Sequence, residues 1–167
     1  MIVDKNFLTD IQKEFICKIF TTQEVPFYYS PNAAHNDGLT HFVHQIVLHD
    51  QINSNLYELI AKDLFIKFCK NNNIKYNKIY RCAINVTFPY NNMKQSAIHT
   101  DHDWDYKHLL IYLDNADGDT ILLEDDKKTK KARITPEQYK GVMFNKCWHY
   151  QELPSKLDRK VMVFTFN

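Results

Sequence analysis

The sequence changes character at Lys78, and that change restricts the fold more than any other feature. Ahead of it, apolar side chains fall three and four residues apart: Phe7, Leu8, Ile11, Phe15, Ile16 and Ile19 within 4–20, then Leu56, Leu59, Ile60, Leu64, Phe65 and Phe68 within 55–69. Each set gathers on one helical stripe, so two helices are expected there. Asn55 and Glu58 have the spacing of a capping pair, and Asn71-Asn72-Asn73 ends the second helix. Between them, His41 to Leu48 reads as a strand. Residues 22–40, with Pro26, Pro31, Gly38, Phe27, Tyr28 and Tyr29, read as a long loop able to border a pocket. Beyond Lys78, short β-branched and aromatic segments recur near 79–88, 96–101, 108–113, 120–124, 131–134, 141–144 and 159–166. Helices followed by strands give an α+β class. Seven or eight short strands suit two facing sheets, so the expected architecture is a double-stranded β-helix (jelly roll) with the N-terminal helices packed on one sheet.

With 167 residues, one domain spanning 1–167 is expected. Twenty-one Lys and Arg against twenty Asp and Glu leave a net charge of +1, which gives nucleic acid or an anionic membrane no electrostatic purchase. Three glycines cannot build a glycine-rich phosphate cradle, and neither G-x-G-x-x-G nor G-x-x-x-x-G-K-[ST] occurs. Cys17, Cys69, Cys82 and Cys147 are scattered without a C-x-x-C pair, which reads as reduced thiols. The apolar runs are too short to cross a bilayer and the N-terminal stretch is amphipathic, so a cytoplasmic location is expected. The charged run 125–131 reads as the solvated tip of a hairpin.

The residues with chemistry in them are His99-Thr100-Asp101, His149 and Arg159. Strand side chains alternate faces, so an imidazole and a carboxylate two apart can converge on one point. With a second histidine they form the two-histidine, one-carboxylate facial set that leaves coordination positions open and suits non-haem Fe(II). His-x-Asp alone is weak: eight His and fourteen Asp in this chain produce roughly 0.7 such pairs by chance, and His35-Asn36-Asp37 is another. That pair lies in the Pro- and Asn-rich loop and reads as a surface turn. Among the histidines of the C-terminal half, only His149 has a basic residue ten positions later, Arg159. Asp103 in place of Asp101 is an alternative register.

These pieces, in order, resemble the Fe(II)- and 2-oxoglutarate-dependent oxygenases, in particular the prolyl-hydroxylase-like branch and its small phage and bacterial relatives. The matching residues are His99-Thr100-Asp101, Leu110-Ile111-Tyr112-Leu113-Asp114, Gly118-Asp119-Thr120, Gly141 ahead of His149, and Arg159 in Arg-Lys-Val-Met-Val-Phe-Thr-Phe, across roughly residues 80–167. The resemblance implies Fe(II) on His99, Asp101 and His149, and 2-oxoglutarate chelating that metal. It implies Arg159 as the anchor for the far carboxylate, where a planar guanidinium fork matches the group. Tyr112 would add a hydroxyl to the same carboxylate, and Tyr90 would reach the co-substrate. Two departures stand out: Gly118-Asp119 replaces the family's Gly-Gly, and Thr165 stands where many members carry tryptophan.

The activity so implied is hydroxylation of an organic substrate by O₂, with release of succinate and CO₂. Retention of Asp101 favours hydroxylation over halogenation. Phe27, Tyr28 and Tyr29 suggest a pocket edge able to stack on a peptide or a flat ring, and the lack of a basic groove favours a protein or peptidyl side chain such as proline over nucleic acid. A non-catalytic jelly-roll module holding a metal or small ligand is the alternative. A zinc hydrolase is disfavoured because it gives Arg159 no task.

Overall fold

The structure, a computed structural model, describes every residue except Gln23, His35 and Asn91. Among the described residues, eleven strands and two α-helices follow in the order β1 (Ile2–Asp4), α1 (Asp10–Thr21), β2 (Tyr28–Ser30), β3 (His41–Leu48), β4 (Gln51–Ile52), α2 (Lys62–Asn71), β5 (Ile79–Thr87), β6 (Lys107–Tyr112), β7 (Thr120–Leu123), β8 (Lys130–Ile134), β9 (Gly141–Asn145), β10 (His149–Gln151) and β11 (Arg159–Phe166). The larger antiparallel sheet runs β1-β9-β6-β11-β5-β3-β2, with β4 on β3, and the smaller runs β10-β7-β8.

The alternation of side chains in the central strands explains the layering. Met162, Phe164 and Phe166 of β11, Leu109 and Ile111 of β6, and Cys82 and Ile84 of β5 face one way and form a core with Ile16 and Ile19 of α1 and Leu64, Phe65 and Phe68 of α2. Val161 and Val163, Leu110 and Tyr112, and Val142 and Phe144 face the other way, against Leu122 and Ile134 of the small sheet. Both faces of the large sheet are therefore covered near its centre, and its strands read as continuous apolar runs rather than alternating ones. The inner face and the small sheet enclose the cavity described below.

Several expectations are revised. The first helix starts at Asp10, not near residue 4: Thr9 and Gln12 form a capping box, with Gln12 Oε1 accepting from Thr9 N–H at 2.8 Å, while Ile2–Asp4 pair with β9. Its Gln12 side chain also donates to Asp63 of α2, tying the helices together. The second helix opens with a π-helical turn, Tyr57–Ala61, without a side-chain cap; Ser54 Oγ, not Asn55, takes the Leu56 N–H at 3.2 Å. The 22–40 segment contains β2, and its aromatics turn from the cavity. Phe27 stacks on Phe20 and meets His44 on the helix side, Tyr29 meets Phe42, and Tyr28 is exposed. What borders the cavity from this segment is Ala33. Asp37 fastens it there, accepting from Ala33 and Leu39 N–H through Oδ1 and from Ala97 N–H through Oδ2.

Segment 96–101 is not a strand. Among the described residues it meets its neighbour through two isolated bridges, Gln95 with Glu152 and His99 with His149, and through Gln151 N–H donating to Ser96 Oγ at 3.1 Å. Of the 125–131 run, residues 125–129 form the exposed tip between β7 and β8, where Asp126 accepts from Lys128 and Thr129 N–H, while Lys130 and Lys131 open β8. All four cysteines are free thiols. No described helix is long and apolar enough to cross a membrane.

Candidate metal centre

His99 and His149 face each other across their bridge. Each donates its backbone N–H to the other's carbonyl at 3.0 Å, and the ring centroids lie 4.4 Å apart. Each imidazole is fixed through Nδ1, which donates to a carbonyl two residues earlier: Ala97 O at 2.9 Å for His99 and Cys147 O at 3.1 Å for His149. A carbonyl only accepts, so the proton of each neutral ring sits on Nδ1, which makes Nε2 the ring atom with the lone pair a metal requires. Both Nε2 atoms point at Asp101 Oδ1, at 3.4 and 3.8 Å. One donor atom from each of the three residues lies within 4.8 Å of the others. Ligand bonds of about 2.1 Å place adjacent donors about 3 Å apart, so small rotations bring this set onto one ion. The donor chemistry, two imidazoles and one carboxylate on one side, fits Fe(II) with positions open for other ligands.

Asp101 is positioned from behind. Its backbone N–H donates to Tyr106 Oη at 2.8 Å, and its Oδ2 lies 3.4 Å from Arg81 Nη1 and 3.7 Å from His108 Nε2. Burial opposes ionisation of this carboxyl. The surrounding His108, His99, Arg81 and His149, of which Arg81 carries the fixed positive charge, outweigh it and hold the carboxyl well below its usual range. Burial pulls His99 down too, but its hydrogen bond and attraction to Asp101 leave it raised; for His149 burial wins and the ring is lowered. His108, fully buried and stacked on Phe144 at 4.7 Å, is pushed down to about 3 by desolvation and is neutral.

Arg159 lines the same cavity, 3% exposed. Its Nε donates to Gly118 O at 3.0 Å, Nη1 to Gln151 Oε1 at 2.8 Å and Nη2 to Thr120 Oγ1 at 2.8 Å. The acids that could have neutralised it are engaged elsewhere: Glu152 and Asp119 pair with Arg133, and Asp158 with Lys160. A guanidinium has five N–H groups, so two remain for a ligand. Gln151 is held in turn by donating from Nε2 to Thr87 Oγ1 at 3.1 Å.

The two tyrosines do not reach the cavity. Tyr112 is fully buried behind the wall, its hydroxyl bonded to Thr120 Oγ1 at 2.9 Å and its ring beside Arg159, so it packs against that guanidinium and leaves the cavity hydroxyl to Thr120. Tyr90 is 40% exposed and does not line the cavity. Asp103 is exposed and outside the donor cluster. His35 lies outside the described residues, and its neighbour Asp37 is occupied by backbone amides. The cavity, about 640 Å³ counting its open mouth, also contains Arg81, Asn85, Thr87, His41 and His108, none identified from the sequence. The one available signal was the alternation of Arg81, Asn85 and Thr87 along β5.

No protein-family model matches the sequence, and no curated protein sequence matches it. Among solved structures, an oxidoreductase of the 2OG-Fe(II) oxygenase family from Burkholderia pseudomallei superposes with a TM-score of 0.68 at 16% identity, covering 91% of this chain and 78% of that one. The chain has the 2OG-Fe(II) oxygenase fold. A Pseudomonas putida prolyl-4-hydroxylase shares that fold at TM-score 0.64 and 14% identity, covering 99% of this chain and 91% of its own. So does a Trichoplax adhaerens prolyl hydroxylase solved with a hypoxia inducible factor peptide, at 0.61 and 14%, covering 99% and 82%. These likenesses agree with the prolyl-hydroxylase-like resemblance read from the motifs. Within the 2OG-Fe(II) oxygenase fold, the donor cluster and the buried arginine open into one cavity between the two sheets.

Proposed function

We propose that the protein is an Fe(II)- and 2-oxoglutarate-dependent dioxygenase built as one double-stranded β-helix domain across 1–167, hydroxylating an organic substrate and releasing succinate and CO₂. The observation that carries this reading is the pairing, in one cavity, of a three-donor metal cluster with a buried guanidinium that has no carboxylate partner among the described residues. His99, Asp101 and His149 hold the iron, which when bound supplies the means of activating O₂. Arg159, steadied by Gly118, Gln151 and Thr120, holds the distal carboxylate of 2-oxoglutarate. Leu110, Phe144, Val161 and Val163 shield that end of the cavity from water. The prolyl hydroxylases sharing the fold support a substrate with amino-acid chemistry, proline or another residue.

Anaerobic addition of Fe(II) and 2-oxoglutarate gives a weak visible charge-transfer band, and exposure to air releases succinate. His99→Ala abolishes both, with loss of bound iron. Stoichiometric iron retained by that variant refutes the ligand assignment. A band without succinate over prolonged incubation favours the non-catalytic binding module.

A further inference from the structure

Asp119 is the residue that departs from Gly-Gly at 118–119, and it takes no part in lining the cavity. Its place in the small sheet gives it a bearing on the anchor all the same. Thr120 of β7 and Gln151 of β10 are register partners, and both line the cavity and accept from Arg159. Side chains alternate across a sheet, so Asp119 and Glu152, the next residue along at the same end of each strand, point to its far side. Glu152 N–H donates to Asp119 O at 2.8 Å and extends the ladder to them. Arg133 of β8, register partner of Ile121, gathers both carboxylates. Its Nη1 donates to Asp119 Oδ2 at 2.5 Å and to Glu152 Oε2 at 3.0 Å, and its Nη2 to Glu152 Oε1 at 2.6 Å.

Two carboxylates thus sit one residue from the anchor's own acceptors, on the opposite face of a single sheet. Gly118 O and Thr120 Oγ1, which hold Arg159, flank Asp119 in the chain. Asp119 is 8% exposed, so little water screens its charge. That charge is felt on the Arg159 side. Burial raises the pKa of the Tyr112 hydroxyl beside Arg159; Arg159 and Thr120 oppose the rise, and Asp119 adds to it. An anion arriving at Arg159 meets the same repulsion. Two acids and one guanidinium leave the trio at −1, and without Arg133 it would stand at −2.

We infer that Arg133, outside the cavity, is a positioning residue for the anionic co-substrate: it holds Asp119 and Glu152 outward and offsets their charge, so that Arg159 keeps its attraction for the distal carboxylate of 2-oxoglutarate. This rests on the oxygenase reading above and adds to it a residue that does not line the cavity.

The test is isothermal titration of 2-oxoglutarate into the Mn(II)-loaded protein, with Mn(II) affinity measured separately. Arg133→Met weakens 2-oxoglutarate roughly three- to tenfold, whereas Asp119→Asn, which removes a negative charge, tightens it roughly threefold. Arg133→Lys keeps the positive charge and stays within roughly twofold of wild type, and Mn(II) affinity changes by less than roughly twofold in all three. The opposite signs are the signature of charge. A network that merely braces the small sheet is broken by either change, so weaker binding in both Arg133→Met and Asp119→Asn overturns the inference, as does unchanged 2-oxoglutarate affinity in Arg133→Met. Should Arg133→Met fail to fold, Asp119→Asn and Glu152→Gln carry the same test: each tightens binding, and weaker or unchanged binding in both overturns the inference. Failure of the wild-type protein to take up Mn(II) and 2-oxoglutarate at all brings down the oxygenase reading, and this inference with it.

Discussion

Replacing Arg159 with methionine keeps most of the side chain's length and removes every donor. The two N–H groups left over after Gly118, Gln151 and Thr120 are served can form a two-pronged contact with a carboxylate. Hydrogen bonds to charged groups contribute about 1.5–3 kcal/mol each, so the pair amounts to about 3–6 kcal/mol, or roughly 10²–10⁴-fold in 2-oxoglutarate affinity. Arg159→Lys keeps the charge and loses the fork, and falls between the two. Metal affinity should barely move, because Arg159 makes no hydrogen bond or ion pair to His99, Asp101 or His149. Separate titrations of Mn(II) and of 2-oxoglutarate into wild-type and variant proteins measure both numbers. A change below threefold in 2-oxoglutarate affinity refutes the anchor role, as does an equal fall in metal affinity, which would mean that Arg159 merely supports the fold.

Gly118 sits at φ +93°, and a Cβ there would lie 2.7 Å from Glu152 O and 2.9 Å from Pro154 N. Gly118→Ala should therefore cost at least about 2 kcal/mol and lower Tm by about 4–8 °C in a calorimetric scan, weakening 2-oxoglutarate as well because its carbonyl holds Arg159 Nε. Gly141→Ala would push a methyl to 2.6 Å from Phe68 Cε2 and 2.9 Å from Phe7 Cε1, an overpacking cost of about 1–3 kcal/mol by urea unfolding; adding Phe68→Leu should recover part of it. Protons compete with the metal at His99, whose pKa is raised above 6.5 on balance by Asp101 despite burial. Metal affinity should hold at higher pH and begin to fall on the alkaline side of 6.5 as pH drops, and a flat profile from pH 8 to 6 contradicts this.

The sequence pattern exposed the layers better than the details of the site. Strand segments 79–88, 108–113 and 159–166 are legible because both faces are buried and the apolar run is unbroken. Segment 96–101 misleads because His99 is fixed by one pair of backbone bonds to a three-residue strand, too short to leave a period of its own. That His99, Asp101 and His149 converge and that Arg159 lines the same cavity was legible in their spacing, since the proposed metal and anion each demand particular side chains. The places of Arg81, His108 and Asn85 were not: they belong to the site through cross-strand register, and register depends on tertiary pairing that a single sequence does not print. Tyr112 misled for the same reason, its hydroxyl being taken by Thr120 one layer short of the cavity.

The reciprocal amide bonds between His99 and His149 have a consequence for the protein without its ion. Main-chain pairing, with carbonyl tethers on both rings, keeps the two imidazoles poised side by side, so the metal is not the clasp that closes the structure. On the proposed reading, iron would enter a site the protein has already shaped, and chelation should leave the far-ultraviolet circular dichroism unchanged.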